Sequence, residues 1–78
     1  MMDKEDIQKV NEWFDRHTEY YGTSRSEREY SIFGEDLEDF TDFLRDEFPD
    51  LCYFRCHLGT GDSTVWFFKE DLENAQFY

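Results

Sequence analysis

Apolar residues recur at intervals of three and four through the first part of the chain. Within residues 3–21 the pattern is formed by Ile7, Val10, Trp13, Phe14, His17, Tyr20 and Tyr21. This period is typical of an amphipathic helix, whose apolar side chains share one face. Glu5, Glu12 and Glu19 fall on the opposite face. The sequence therefore predicts a first helix over residues 3–21, with its apolar side against a core.

A second helical pattern occupies residues 35–48. Its apolar face consists of Leu37, Phe40, Phe43, Leu44 and Phe48. Acidic residues fill the first turn, where the helix dipole favours negative charge, and Pro49 ends the helix. Residues 33–38 read FGEDLE, and residues 68–73 read FKEDLE. Because the two stretches differ only at their second position, we expect the same local structure twice, a strand that ends on Phe followed by a helix. The second helix of this kind is predicted over residues 70–76.

Three segments are short enough for single strands. Residues 27–33 alternate in character, and residues 51–58 and 63–68 are rich in aromatic and β-branched side chains. The last two flank a glycine-containing segment at 59–62, which is typical of a hairpin. Alternation places four amphipathic positions on one face of the strand 51–58, and we expect that face to be uncovered. These positions are Leu51, Tyr53, Arg55 and His57.

The predicted element order is α-β-α-β-β-α, and the length of 78 residues fits one domain. Helices and strands in this order predict an α+β fold with two layers, in which the helices pack on one face of a three-stranded sheet. The domain is expected to span residues 1–78.

The charge of the chain is strongly negative. Lys and Arg number 8 against 20 Asp and Glu, so the formal net charge is −12. Direct binding of nucleic acid or of an anionic membrane selects Lys and Arg, so this balance argues against both partners. A basic protein partner is favoured instead. Nine Phe, five Tyr and two Trp supply enough apolar area for a core despite the charge.

The start of the chain and its cysteines bear on the compartment. No apolar run follows Met1, and no stretch is long enough to span a membrane, so we expect a cytoplasmic protein.

Cys52 and Cys56 would lie about 13 Å apart in a strand, too far for a disulfide. We therefore expect buried free thiols. With only His17 and His57 available, a zinc site has little support, and His17 fits a partly buried side chain.

No grouping of residues indicates catalysis. The chain has no Ser/His/Asp or Cys/His arrangement, no phosphate-binding glycine loop and no calcium-binding loop. Its carboxylates lie on a convex helix, whereas acid–base chemistry needs an enclosed pocket to tune the pKa. We expect no enzyme, no cofactor and no metal.

The clearest functional candidate is the acidic helix. Residues 35–50 hold eight carboxylates against Arg45 alone. Five of them fall on one solvent-facing stripe opposite the phenylalanines, namely Glu35, Glu38, Asp39, Asp42 and Asp46. Along the helix axis there is one charge per ~3 Å, close to the ~3.4 Å of axis per phosphate of a single DNA strand. The plainer interpretation, an ordinary solvated face, stays open.

Aromatic residues beside carboxylates suit a partner surface that is rich in Arg and Lys, since the rings add apolar area and cation–π contacts. The aromatics expected to take part are Trp13, Tyr20, Tyr53 and Trp66. Together with the acidic stripe they form the predicted partner-binding site.

In charge and composition, though not in any motif, the chain resembles small acidic inhibitors that imitate nucleic acid. Such proteins include phage-encoded anti-CRISPR and anti-restriction proteins and inhibitors of uracil-DNA glycosylase. The resemblance implies an inhibitor that occupies the nucleic-acid groove of a basic target, in the host cytoplasm if a phage encodes it. Two alternatives remain open: an immunity or antitoxin protein that neutralises a basic toxin, and a regulatory module that forms a homodimer through the uncovered sheet face.

Overall fold

A computed structural model of the chain describes residues 1–18, 22–59 and 64–78. Within these ranges the chain forms three helices and six short strands, which confirms the predicted α+β class. In chain order the elements are α1 (Lys4–His17), β1 (Ser24–Arg25), β2 (Glu29–Ile32), α2 (Gly34–Glu47), β3 (Leu51–Tyr53), β4 (His57–Leu58), β5 (Val65–Phe68), α3 (Lys69–Glu73) and β6 (Gln76–Phe77).

The main sheet has four antiparallel strands in the order β1-β2-β5-β4. The prediction of three strands was wrong because β1 is only two exposed polar residues long, too short to show alternation. At the centre of the sheet, Tyr30 pairs with Phe67 and Ile32 with Val65. These four side chains are buried and define the core face, while their neighbours along each strand point to the other face.

A second sheet joins β3 to β6. The predicted strand 51–58 is therefore wrong as a single element: its first part pairs with the end of the chain, and its last part pairs with β5. The helix predicted over 70–76 is shorter, ends at Glu73 and gives way to β6. Pairing brings the Tyr78 amide to 2.9 Å from the Asp50 carbonyl oxygen. The tip of the predicted hairpin, residues 60–63, lies outside the described residues.

The two long helices begin and end for clear local reasons. α1 starts with a capping box, in which the Asp3 carboxylate accepts from the Asp6 amide at 2.9 Å and Asp6 accepts from the Asp3 amide. Its predicted continuation through residues 19–21 lies outside the described residues. α2 starts after Phe33 and stops two residues before Pro49, as its pattern predicted to within one residue.

The core is built from aromatic rings that join both helices to the sheet. The ring of Phe14 on α1 lies 4.9 Å from Tyr30 and 5.4 Å from Phe40 on α2, measured between ring centres. Phe40 in turn lies 5.9 Å from Phe67. Both helices therefore cover the core face of the main sheet, and the molecule has two layers. The small β3–β6 sheet adds Leu51 and Phe77 to the same core, and Phe54, directly after β3, packs there as well.

Both cysteines are exposed, so the expectation of buried thiols was wrong. Cys52 lies on the short strand β3, and Cys56 lies in the irregular segment between β3 and β4. In the described ranges, no group of three or more His, Cys, Asp or Glu side chains could hold a metal ion. No helix among the described residues is both long and apolar enough to cross a membrane.

Candidate functional site

The five predicted carboxylates of α2 lie on one exposed face of that helix. We call this set the acidic stripe: Glu35, Glu38, Asp39, Asp42 and Asp46. Spacings of three and four residues put them side by side, because these are the neighbours on a helix surface. Phe40, on the other side of α2, is only 2% exposed. The stripe therefore points away from the core, as the sequence predicted.

No member of the acidic stripe has a cationic partner among the described residues. Across residues 1–18, 22–59 and 64–78, ion pairs join Lys9 to Glu47 at 3.5 Å and Arg25 to Asp15 at 2.8 Å. Neither pair includes a member of the stripe. Five carboxylates are thus presented to solvent without internal neutralisation, which is the arrangement that would attract a basic partner.

The start of α2 is held in place by a buried hydrogen-bond chain. The Thr23 hydroxyl donates to the carboxylate of Asp36, which is buried within the first turn of the helix. The same hydroxyl accepts from the Phe33 amide at 3.1 Å. These hydrogen bonds tie the segment before β1 to the first turn of α2. The first residues of the acidic stripe are therefore held in a fixed position relative to the sheet.

Aromatic packing holds the middle of α2. The Phe40 ring lies 4.9 Å from Trp13 and 5.9 Å from Phe67, and Phe43 lies 6.0 Å from Phe40. Since buried rings of this kind fix a helix against its neighbours, the stripe is supported along its length by the core. A binding partner would meet a surface that is already ordered.

Trp13 is not part of this surface, and its prediction as a partner-binding residue was wrong. It is 3% exposed and lies within the core. Its ring stacks on His17 at 3.9 Å and contacts Phe14 edge to face at 5.1 Å. The His17 ring also makes a 2.7 Å hydrogen bond with the Trp13 carbonyl oxygen. The position of Trp13 within the apolar pattern of α1 already indicated that this side chain is buried. That signal should have outweighed the general preference of tryptophan for interfaces.

The other predicted aromatics lie on different elements. Tyr53 is 57% exposed on β3, and Trp66 is half-buried on the face of the main sheet that the helices leave uncovered. Because α2 covers the opposite face of that sheet, Trp66 and the acidic stripe lie on opposite sides of the molecule. Tyr20 lies outside the described residues. The structure therefore brings neither Trp13 nor Trp66 into one site with the acidic stripe.

The uncovered face of the main sheet carries an aromatic cluster that the sequence pattern predicted only in part. We call it the aromatic sheet face, and strand register assigns to it Ser24, Glu29, Ser31, His57, Trp66 and Phe68. The His57 ring stacks on Trp66 at 4.2 Å, and Phe68 meets Trp66 edge to face at 5.4 Å. His57 was predicted on the uncovered face, whereas Phe68 was missed although alternation within β5 pairs it with Trp66.

Among the described residues, four ionisable groups outside these surfaces have shifted pKa values, namely Asp15, Arg25, Tyr30 and Tyr78. The Arg25 guanidinium bonds both carboxylate oxygens of Asp15, at 2.8 and 3.0 Å, and lowers the pKa of Asp15. Burial raises the pKa of Tyr30, whose hydroxyl donates to Asn11 at 2.6 Å. A hydrogen bond with Cys52 raises the pKa of Tyr78. Each of these groups belongs to a structural contact rather than to the acidic stripe.

A cleft of about 880 Å³ lies where the β1–β2 turn meets α3. Its walls carry three cationic side chains, Arg25, Arg28 and Lys69, interspersed with four glutamates. These charged side chains are exposed. The cleft thus offers a mixed-charge surface of a different character from the acidic stripe.

Comparison of the chain with protein-family models, with curated proteins and with solved structures found no match.

Proposed function

We propose that this protein is a non-enzymatic inhibitor whose acidic stripe occupies the nucleic-acid groove of a basic target protein. The observation that carries the proposal is the acidic stripe itself: five exposed carboxylates on one face of a supported helix, none of them in an ion pair with a described residue. Binding to such a target in the cytoplasm would block access of its DNA or RNA.

The spacing of the stripe supports imitation of a phosphate backbone. At ~1.5 Å of rise per residue, the helix from Glu35 to Asp46 is about 16 Å long, so successive charges lie about 4 Å apart along the axis. Measured along the helix axis, the phosphates of one DNA strand follow one another at ~3.4 Å. Arg and Lys side chains placed for phosphates could reach carboxylates at this spacing without a change of backbone in either protein.

Order within the free protein also supports the proposal. The Thr23–Asp36 hydrogen bond fixes the start of α2, and Phe40 fixes its middle against Trp13 and Phe67. A preordered surface loses little conformational entropy on binding, which favours affinity. The net charge of −12 adds long-range attraction to a basic groove and repels nucleic acid and anionic membranes.

The test is reversal of the stripe combined with capture of the target. The immobilised protein is exposed to bacterial lysate at low salt, and bound proteins are eluted with duplex DNA as competitor. The proposal expects capture of a nucleic-acid-binding protein that DNA displaces. Reversal of Glu38, Asp39, Asp42 and Asp46 to Lys should weaken binding about 1000-fold or more, at about 1 kcal/mol for each lost contact.

A matched control keeps the change in net charge but moves it off α2. Glu5, Glu12, Glu70 and Glu73 are exposed on α1 and α3 and can be reversed to Lys together. The control should retain most of the affinity, with a lower association rate. Equal losses in both variants would show that net charge alone drives binding, and unchanged affinity of the stripe variant would refute the proposal.

The exposure of Tyr53 favours a second candidate, a protein that neutralises a basic toxin through aromatic anchors. In that case Tyr53→Ala should weaken binding by at least about tenfold, as expected for an anchor residue, while reversal of the stripe has the smaller effect. Trp13 is buried and does not serve as such an anchor.

A further inference from the structure

The cleft between the β1–β2 turn and α3 gathers positive charge in an acidic molecule. Three of the eight Lys and Arg of the chain line it, namely Arg25, Arg28 and Lys69. The four glutamates of its walls are Glu27, Glu29, Glu70 and Glu73, and Phe68 supplies an aromatic ring. None of these residues belongs to the acidic stripe. The cleft is therefore a separate surface, and its charges need an explanation of their own.

Arg28 and Lys69 lie directly opposite each other at the end of the main sheet. The register of β2 and β5, which pairs Glu29 with Phe68, places them in the next pair, and the Lys69 amide donates to the Arg28 carbonyl oxygen at 2.8 Å. Side chains that face each other across two strands start only ~5 Å apart, and like charges in that position repel. Neither cation makes an ion pair with any residue in the described ranges. The two cations thus stand together without a counter-charge from the parts of the chain that the structure describes.

Arg25 contributes to the cleft in a different way. Its guanidinium bonds both carboxylate oxygens of Asp15, at 2.8 and 3.0 Å, so its charge is already balanced. These bonds fix Arg25 to α1 and make it a wall of the cleft. The positive charge that a ligand could meet comes from Arg28 and Lys69.

The wall formed by Phe68 and α3 is held in place. The Asp71 carboxylate accepts from the Phe68 amide at 2.9 Å, and Leu72 is fully buried, which ties α3 to the core. The Phe68 ring meets Trp66 edge to face at 5.4 Å between ring centres and is still 40% exposed. A ring that is fixed and partly exposed offers apolar contact at little entropic cost.

We propose that this cleft binds a short peptide with free termini. The terminal carboxylate lies between Arg28 and Lys69, the terminal ammonium group lies among the glutamates, and an apolar side chain packs against Phe68. The volume of about 880 Å³ falls within the ~300–1,000 Å³ of small-ligand sites, which gives room for a few residues.

Charge decides against ligands of a single sign. An anion would have to approach a chain of net charge −12 and would then meet four carboxylates in the cleft. A cation would leave Arg28 and Lys69 opposed to each other. A peptide with both termini free has no net charge from them, so its approach is not opposed, and each of its termini finds the opposite charge in the cleft.

Peptide binding goes beyond the proposed inhibition and does not depend on it. No member of the acidic stripe lines the cleft. Peptide binding and target binding can therefore be abolished separately by substitutions at the two places.

The experiment is an NMR titration of the full ¹⁵N-labelled chain with the dipeptide glycyl-phenylalanine. We expect saturable shifts of the backbone amides of Arg28, Lys69 and Glu70, with a dissociation constant of about 0.1–10 mM for a ligand this small. The amides of the acidic stripe should stay constant. Absence of a saturable shift in the cleft would overturn the proposal.

Three related probes test which groups of the peptide are recognised. Glycyl-phenylalanine amide lacks the carboxylate, acetyl-glycyl-phenylalanine lacks the ammonium group, and glycyl-glycine lacks the ring. Each should bind at least about fivefold more weakly than the parent dipeptide. Equal binding of the amide would show that Arg28 and Lys69 do not hold the carboxylate. Equal binding of the acetylated form would identify a simple anion site and would also overturn the proposal.

Two variants test which residues of the protein are responsible. Arg28→Gln and Lys69→Gln each remove one exposed cation and should weaken binding of glycyl-phenylalanine at least about fivefold. Arg55→Gln is the matched control, because Arg55 is exposed between β3 and β4 and does not line the cleft. An equal loss in the control would show that only the net charge matters, which would refute the assigned site.

The same variants separate this proposal from the proposed inhibition. Arg28→Gln should still capture a basic target, and the variant with a reversed acidic stripe should still bind the dipeptide. Loss of target capture in Arg28→Gln would show that the cleft belongs to the target-binding surface and is not a peptide site.

Discussion

The acidic stripe should lower the stability of the free protein, and this cost can be measured. Its members form five like-charge pairs at spacings of three or four residues, namely 35–38, 35–39, 38–42, 39–42 and 42–46. Each such pair destabilises a helix by ~0.2–0.5 kcal/mol, so the five together cost about 1–2.5 kcal/mol. The variant that combines Glu38→Gln, Asp39→Asn, Asp42→Asn and Asp46→Asn removes all five pairs and should be more stable by this amount.

The assay is equilibrium unfolding in urea, with helix content followed by circular dichroism. At low salt the variant should unfold at higher urea concentration with an unchanged slope, which reports stability rather than a change in compactness. For a domain of this size the gain corresponds to about 4–8 °C in melting temperature for each kcal/mol. At ~1 M salt, where the Debye length is ~3 Å, the difference should nearly vanish.

Asp15→Asn is the control, for which the expected change in stability has the opposite sign. This carboxylate is paired with Arg25 through two hydrogen bonds, so its neutralisation should lower stability at low salt. A stripe variant that is less stable than the parent at low salt would refute the reasoning, because the carboxylates would then make favourable contacts. In that case the like charges of the acidic stripe would not destabilise the folded protein.

Two further predictions concern groups that fix the elements in place. Thr23→Ala removes the hydrogen-bond donor to buried Asp36 and should lower the free energy of unfolding in urea by about 1–3 kcal/mol. The control Thr41→Ala removes a hydrogen bond within α2 and should lower it by less than about 0.5 kcal/mol. Equal losses in the two variants would show that the Thr23–Asp36 bond does not anchor the helix. Burial raises the pKa of Tyr30 above its ordinary 10.0, so the folded protein retains this proton and stability should fall as pH rises through 10. Tyr30→Phe should flatten that alkaline dependence while losing about 1 kcal/mol from the bond to Asn11.

The sequence predicted the long elements well because their signals are long. α2 was located to within one residue from five apolar positions, an acidic first turn and Pro49. β1 and β6 are two residues each, and no periodicity can be read from two residues. Whether Leu51 pairs within a hairpin or with Phe77 depends on where the chain returns in space, which local pattern does not determine.

The candidate site, like the fold, could be predicted from the sequence only in part. The position of the acidic stripe follows from helical spacing, so the five residues could be named from the sequence alone. Their freedom from ion pairs could not, because it depends on where the lysines and arginines lie after folding, as with Lys9 beside Glu47. Trp13 shows the converse error, since its residue type was given more weight than its place on the apolar face of α1.

The order of strands in the main sheet has a consequence for how the protein is made. β5 lies between β2 and β4 and supplies Phe67, against which Phe14, Tyr30 and Phe40 pack, yet it follows both long helices in the chain. A nascent chain therefore carries these rings uncovered until residues 65–68 have emerged from the ribosome. Folding must then follow synthesis closely, and chaperones that bind exposed aromatic residues would compete for the chain during that interval.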